Sequence, residues 1–494
     1  MSETQQLNVI FLPFPLPGHM NPMVDTARLF AKHGANVTII TTQAYALSVQ
    51  KVIESGFSYG YPIKTHVVQF PSTQIGMADG AENTKVGTSG DLMDQVILGA
   101  ILLKDQVEIV LHDLKPDCIV TDQFYPWTVD TAAKLGIPRL YFHVTSYFSS
   151  CASHCIQKYK PQEKVGSDSE KFLIPGLPHN TEITTLQLEE WVRTSDEATT
   201  EIFNAQHESE SRSYGILCNS FHEIELDYEE LYKSTLGLKS WSLGPVSTWV
   251  KKYDEEKENN EKKEGFEEHP ELLNWLNSKE NESVLYVSFG SLTRHPRAQL
   301  LEIAHGLENC GHNFIWVVRN MDGVEDEDTL PKGFEQRVKQ SNKGFILWNW
   351  APQLLIVNHP AIGGIVTHCG WNAIHEGLHV GLPMITWPIF AEQFYNEKLL
   401  VDVLKVAVAV GAKENRYWMN PNEDASVRRE EIVSSVKLLM GNEEKSIEMR
   451  KRARKLSDAG KRAIEEGGSS YNNLMQLIDE LKSFKISRSL HNTN

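Results

Sequence analysis

Residues 350–393 read WAPQLLIVNHPAIGGIVTHCGWNAIHEGLHVGLPMITWPIFAEQ, and the fold turns on how this stretch is parsed. The apolar run 362–367 predicts a strand that ends at His368-Cys369-Gly370, after which Trp371 and Asn372 open a helix through 379. A second run, 384–387, predicts the next strand, with helical pattern again at 391–404. Strand, glycine turn, helix and strand make a βαβ unit with parallel strands. A helix starting straight after a strand presents free N–H groups and the positive end of its dipole, so this turn suits an anion, and Gly370 permits close approach. His368 can donate to a phosphate oxygen, and Glu376, one turn further, can accept from vicinal ribose hydroxyls. Trp350 offers a flat face for a base. Glu392 and Gln393 pair acceptor and donor groups suited to sugar hydroxyls. An ordinary βαβ unit with a tight turn would account for any one of these residues alone.

Outward from this unit the same alternation covers the chain. Upstream, strands are predicted at 8–14, 36–42, 65–70, 117–122 and 139–144, with 213–220 as candidate last strand, and helices at 22–32, 92–114 and 126–135. Downstream, strands fall at 284–289, 313–319 and 344–348, helices at 269–279 and 298–307, and a helical tail at 428–482 is interrupted by Gly467-Gly468. Continuous apolar strands separated by helices indicate parallel sheets buried on both faces. Between the two α/β halves, residues 251–268 carry 5 basic and 8 acidic residues without hydrophobic periodicity, which reads as a charged linker. The expected division is 1–250, a linker 251–268, 269–466, and a final segment 467–494.

Composition sets the outer bounds. The 494 residues include 48 Lys+Arg and 65 Asp+Glu, a net charge of −17, with 41% hydrophobic residues and 11 tryptophans. Dominant disorder and sequence-independent nucleic-acid binding are excluded on these grounds. Residues 251–268 and 322–328 together carry −8 of the −17, so the total says little about the sign of a binding site. Six cysteines in so long a chain make no disulfide framework. The start lacks a basic signal-peptide region, and no run approaches the length of a membrane span, so a cytoplasmic protein without membrane insertion is expected. Absence of Gly-x-Gly-x-x-Gly, Gly-x-x-x-x-Gly-Lys-Ser/Thr and Gly-x-Ser-x-Gly disfavours a nicotinamide dehydrogenase, a P-loop NTPase and an α/β-hydrolase. Cys151, His154 and Cys155 have no second ligand pair at zinc spacing, so packing is the better account and no metal is expected.

A base is available in the first half. His19, in PGHMNP (17–22), lies between the first strand and its helix, and Asp122 ends another strand of the same sheet. A carboxylate on one imidazole nitrogen fixes the tautomer and stabilises the imidazolium formed when the other takes a proton. Phe14, Phe124 and Trp127, close to these residues in sequence, suit a flat apolar acceptor, and core packing explains any one of them about as well.

Taken together, WAPQ (350–353), His359, Gly363, HCGWN (368–372), Glu376, Gly381, Pro383 and Glu392-Gln393 closely resemble the 44-residue signature of plant secondary-product UDP-glycosyltransferases. The resemblance extends over nearly the whole chain, through PGHMNP, VTD (120–122) and VSFGS (287–291). It implies the GT-B α/β fold: two Rossmann-like domains, the C-terminal one holding a UDP-sugar, the N-terminal one the acceptor, with the last helix crossing back. By this similarity Trp350 stacks on uracil and Glu376 binds ribose. Ser291, His368, Asn372 and Ala373 hold the diphosphate, and Trp371, Glu392, Gln393 and Thr145 meet the sugar. Ala351 and Gln353 belong to the same donor site. His19 and Asp122 form the dyad that deprotonates an acceptor hydroxyl, which displaces UDP with inversion and without metal or cofactor. Ala373 departs from the pattern, which usually has Ser or Thr there.

Gln393 resembles glucose-using members, and wording such as NPMVDTARLFAKHG (21–34) resembles the legume branch acting on triterpenoid saponins. The expectation is therefore glucosyl transfer from UDP-glucose to a hydroxyl or carboxyl group of a small lipophilic triterpenoid, by a monomer. Flavonoid or phenolic acceptors are the alternative. A non-catalytic UDP-sugar-binding protein, with Ala373 marking a decayed site, and a sugar-nucleotide epimerase are the rivals.

Overall fold

The structure is a computed structural model that describes residues 6–57, 63–80, 82, 90–194, 197–255, 269–290, 292–319, 329–416 and 423–491. Ser291, residues 256–268 of the charged stretch and all of 322–328 lie outside the described residues. The chain divides into two compact units. The first comprises Met1–Tyr147, Ser195–Asn259 and Lys461–Asn494, the second Phe148–Thr194 and Asn260–Gly460. Residues 148–194 thus group with the second unit although they fall between strands of the first, and the final segment groups with the first from Lys461.

The first unit is built on a seven-stranded sheet. Its strands are β1 (Asn8–Leu12), β2 (Asn36–Thr42), β3 (Ile63–Val68), β4 (Cys118–Asp122), β5 (Arg139–His143), β6 (Gly215–Cys218) and β7 (Lys239–Ser242). Their order is β3-β2-β1-β4-β5-β6-β7, every pairing parallel. All of β4 and β5 is buried, as strands sandwiched between helix layers must be. The expectation that 213–220 ends this sheet is corrected: β7 lies beyond it. The sequence KSWS lacks an apolar run because its buried hydroxyls are satisfied by hydrogen bonds rather than replaced by carbon. Ser240 pairs with Tyr147, and Ser242 donates to Glu229 Oε2 at 2.9 Å.

Two helix boundaries also differ from expectation. Helix α1 (Pro17–Lys32) begins five residues before the predicted start at 22. Pro17 occupies its first position, where a missing N–H leaves no bond unmade. Pro22 sits inside the helix, and Thr26 Oγ1 donates back to the Pro22 carbonyl at 2.8 Å. His19 is therefore in the first turn of α1, rather than in a loop before it. The predicted helix 92–114 is two, Gly90–Leu102 and Lys104–Leu114. The last helix, Ser469–His491, places Leu474, Leu477, Ile478 and Leu481 in the same core as Val9, Phe11 and Leu29. Ser470 and Asn473 donate to the carbonyls of Gly244 and Ser242 at 2.6 and 3.0 Å, and Lys485 pairs with Asp117 at 2.9 Å.

The second unit has six parallel strands, β8 (Val284–Val287), β9 (Asn313–Val318), β10 (Gly344–Trp348), β11 (Ile362–Thr367), β12 (Met384–Thr386) and β13 (Ala407–Ala409). Their order is β10-β9-β8-β11-β12-β13. Both sheets therefore step outward from a central strand in one direction and then restart on its other side. In such doubly wound sheets ligands bind beyond the carboxyl ends of the strands, where the direction of winding reverses. In the first unit that point lies between β1 and β4, in the second between β8 and β11.

Candidate active site

Asp122 ends one of the two strands that flank the first of these points and His19 lies in the first turn of the helix that follows the other, although 103 residues separate them. Asp122 closes β4 and is fully buried; His19 follows β1 and keeps 17% of its side chain exposed. His19 Nδ1 lies 2.8 Å from Asp122 Oδ2, while Asp122 Oδ1 accepts the Phe124 backbone N–H at 3.2 Å. With Nδ1 committed to the carboxylate, Nε2 is the nitrogen through which the ring could take up a proton. The aromatic rings predicted to flank the dyad divide into two groups. Phe14, fully buried, and Phe124, half-buried, have ring centroids 4.3 Å apart and lie 5.4 and 5.7 Å from the His19 ring. Trp127 sits a ring further away, buried edge-on against Tyr125 at 6.1 Å, its indole N–H without a hydrogen-bond partner.

Thr145 stands on the same edge of the sheet, two residues past the end of β5, the neighbour of β4. Its Oγ1 lies 2.9 Å from His143 Nδ1. His143 Nε2 faces Glu210 Oε1 at 3.4 Å, from helix α2 (Glu197–Ser211). Nothing in the local sequence pattern singled out His143 or Glu210: one reads as a strand residue, the other as a helix-face charge.

In the second unit the helix predicted after HCG is α3 (Trp371–Val380), capped by Gly370. His368 is held between glycines. A Cβ on Gly290 would come within 2.7 Å of its Cε1, and one on Gly370 would collide with its Nε2. Gly290 also has φ +78°, a conformation natural to glycine. Part of the His368 surface reaches solvent, yet desolvation pushes its pKa down to about 4 and Nδ1 has no hydrogen-bond partner. A neutral ring with one N–H to donate, at the mouth of a helix N-terminus, fits a diphosphate oxygen. Asn372 and Ala373 follow in the first turn, both half-exposed.

Around this turn the remaining predicted residues are ordered by hydrogen bonds. Gln353 Oε1 accepts from Tyr286 and Ser288 at 3.1 and 3.3 Å, and its amide donates to Glu376. Trp350 is 57% exposed, with one face against His269 at 5.9 Å; Ala351 beside it is half-exposed. Trp371 differs from the others, being buried and edge-on to His375 at 4.7 Å. Gln393 begins helix α4 (Gln393–Lys398), and its Oε1 is taken by the N–H groups of Ile389 and Phe390 at 2.9 and 3.1 Å. Its amide can therefore offer donation only; Gln393 is buried, and Glu392 beside it is half-exposed. Among the described residues no three His, Cys, Asp or Glu side chains are grouped as metal ligands would be.

Residues 259–415 match the family described as UDP-glucoronosyl and UDP-glucosyl transferase. The chain is 51% identical to the soyasapogenol B glucuronide galactosyltransferase of Glycine max, over 99% of this chain and 98% of that protein. The chain belongs to the UDP-glycosyltransferase family. It is also 42% identical to the UDP-glucose flavonoid 3-O-glucosyltransferase 7 of Fragaria ananassa, over 97% and 96%. Among solved structures, Glycyrrhiza uralensis UGT73P12 complexed with glycyrrhetinic acid 3-O-monoglucuronide superposes with a TM-score of 0.90 at 46% identity, covering 99% of this chain and 98% of that one. The fold of this UDP-glycosyltransferase is thus GT-B, and the protein is an enzyme that uses a UDP-sugar. No helix among the described residues is long and apolar enough to cross a membrane.

Proposed function

We propose that the enzyme transfers glucose from UDP-glucose to a hydroxyl or carboxyl group of a triterpenoid, with inversion at the anomeric carbon. The observation that carries the reaction type is the 2.8 Å bond from His19 Nδ1 to a fully buried Asp122. In this reading Nε2 of His19 takes the proton from the acceptor hydroxyl as its oxygen bonds to C1 of the sugar. The C1–O bond to the diphosphate breaks, and UDP leaves against His368 and the N-terminus of α3. Asp122 offsets the charge of the imidazolium; its buried pairing favours that state more than an exposed carboxylate would. Phe14 and Phe124 beside His19 favour a flat apolar acceptor, and the 51% identical relative and the ligand of the Glycyrrhiza structure are both named for triterpenoid-type glucuronides.

Glucose as donor rests on Gln393, which resembles glucose-using members even though the 51% identical relative is named a galactosyltransferase. A flavonoid acceptor is the second reading, favoured by the Fragaria relative. A mass-spectrometric assay of UDP-glucose, UDP-galactose and UDP-glucuronate against triterpenoid aglycones, their monoglucuronides and flavonols separates these readings. Hexosylated triterpenoid formed from UDP-glucose is the expected product. Product from flavonols alone, or from UDP-galactose alone, refutes the acceptor or the donor respectively. A triterpene carboxylate needs no base, so His19→Ala should spare ester formation more than ether formation, and equal losses would count against this role.

A further inference from the structure

The turn between β12 and α4, which carries Glu392 and Gln393, departs from ordinary backbone at Ala391. Its φ of +52° lies in the left-handed region, which a residue with a side chain adopts at a cost. Such a residue keeps that conformation only where its surroundings hold it there. Gln393 braces the turn from within, through the N–H groups of Ile389 and Phe390. Asn415 braces it from the other side. Asn415 is buried, and its Nδ2 donates to the Ala391 carbonyl at 2.7 Å and to the Gln187 carbonyl at 3.4 Å. Only the nitrogen end of an amide can face two carbonyl oxygens, so these neighbours settle which way the side chain points. The backbone repeats the bridge: Asn415 N–H donates to the Leu186 carbonyl and Arg416 N–H to the Ile389 carbonyl, each at 2.8 Å. Arg193, on the short helix Glu190–Thr194, donates to the Asn415 carbonyl and pairs with Glu414 at 3.5 Å. Residues 186–193, 389–393 and 414–416 all belong to the second unit.

We propose that Asn415 is a positioning residue for the sugar end of the donor site: its amide locks Ala391 in the left-handed conformation from which Glu392 is presented. This rests on the reading of Glu392 and Gln393 as contacts of the donor sugar. Asn415 touches no substrate in this reading and acts through the turn. Glu392 follows Ala391 directly, so a rotation of the backbone at 391 swings its carboxylate away and displaces the start of α4. The groups assigned to the diphosphate, ribose and uracil, among them His368, Glu376 and Trp350, come from other elements. Loss of the clamp is therefore felt by a UDP-sugar and not by UDP.

The test is isothermal titration calorimetry of the full chain with UDP and UDP-glucose. Asn415→Ala should weaken UDP-glucose roughly fivefold or more, the equivalent of one hydrogen bond, and leave UDP unchanged. Asn415→Asp, which sets an oxygen against the Ala391 carbonyl, should weaken it at least as much. Adding Ala391→Gly to Asn415→Ala should recover about twofold or more of the loss, because glycine takes the left-handed conformation without the penalty. Ala391→Val, whose branched side chain opposes that conformation, should reproduce the Asn415→Ala result and serves if the Asn415 variants do not fold. Unchanged UDP-glucose affinity, equal weakening of UDP and UDP-glucose, or a loss that Ala391→Gly leaves untouched overturns the clamp. Glu392→Ala tests the reading beneath it. If Glu392→Ala weakens UDP-glucose against UDP while Asn415→Ala does not, the clamp alone fails. If Glu392→Ala leaves the two nucleotides unchanged, the sugar contact fails, and the clamp with it.

Discussion

His368 sits between Gly290 and Gly370 with no room for a methyl group on either side. Gly290→Ala or Gly370→Ala should displace the ring and cost about 1.5–3 kcal/mol of diphosphate binding, the range for a hydrogen bond to a charged group. Calorimetry should read this as a tenfold or greater rise in the Kd of UDP. Ala373, close by in the first turn of α3, makes the opposite prediction. Ala373→Ser restores a hydroxyl at a half-exposed site and should tighten UDP by about 1 kcal/mol; unchanged affinity would show that the backbone already supplies what this position gives. The candidate donor residues, Thr145 and Ser291 apart, could be picked out of the sequence because they crowd into 44 consecutive positions. His143 and Glu210 could not, since 67 residues and a strand-to-helix contact separate two side chains that look unremarkable in their own elements.

Elements were legible where burial is written in carbon. The continuous apolar runs of β1, β2, β4 and β11 follow directly from strands covered on both faces. β7 escaped because Ser240 and Ser242 are buried by hydrogen bonding, and α1 started early because Pro17 and Pro22 read as loop residues, although a first helical position accepts Pro17 and the helix carries Pro22 inside it. The β12–α4 connection, which carries Glu392 and Gln393, is tied by Thr386 Oγ1 donating to the buried Glu397 at 2.7 Å. Burial pushes the Glu397 carboxyl up to about 7 against the opposing Thr386 bond. Its folded pKa lies above its unfolded one, so the unfolded chain sheds this proton first and stability falls as pH rises from about 4.5 to 7. Glu397→Gln keeps an acceptor and removes the charge. Its melting temperature should match the wild type near pH 5 and exceed it increasingly up to pH 8, by the equivalent of a few kcal/mol at most. A pH-independent difference would place the effect in packing.

At the scale of the chain, sequence alternation foretold two Rossmann-like sheets. It did not reveal that residues 148–194 group with the second unit, because contacts across long sequence separations leave no local pattern. The final helix is an integral part of the first unit's core. Leu474, Leu477, Ile478 and Leu481 are almost fully buried, each contributing about 1.5–3 kcal/mol, against a total stability of roughly 5–15 kcal/mol for a typical domain. A chain ending at Gly468 should therefore fail to fold its first unit, seen as lost solubility or a lost cooperative melt; a soluble chain with an unaltered melt would show that the helix is dispensable. The net charge of −17 does not argue against an anionic ligand, because the N-terminus of α3 offers N–H donors whatever the total.

The central claim is that His19, oriented by Asp122, is the base for an acceptor hydroxyl on a chain whose donor site is independent of it. Turnover of the His19→Ala variant with UDP-glucose and a triterpenoid alcohol, measured as UDP released and compared with its Kd for UDP, tests this most directly. The predicted result is a loss of at least a hundredfold in turnover with UDP affinity unchanged, and near-normal turnover by a folded His19→Ala enzyme would contradict it.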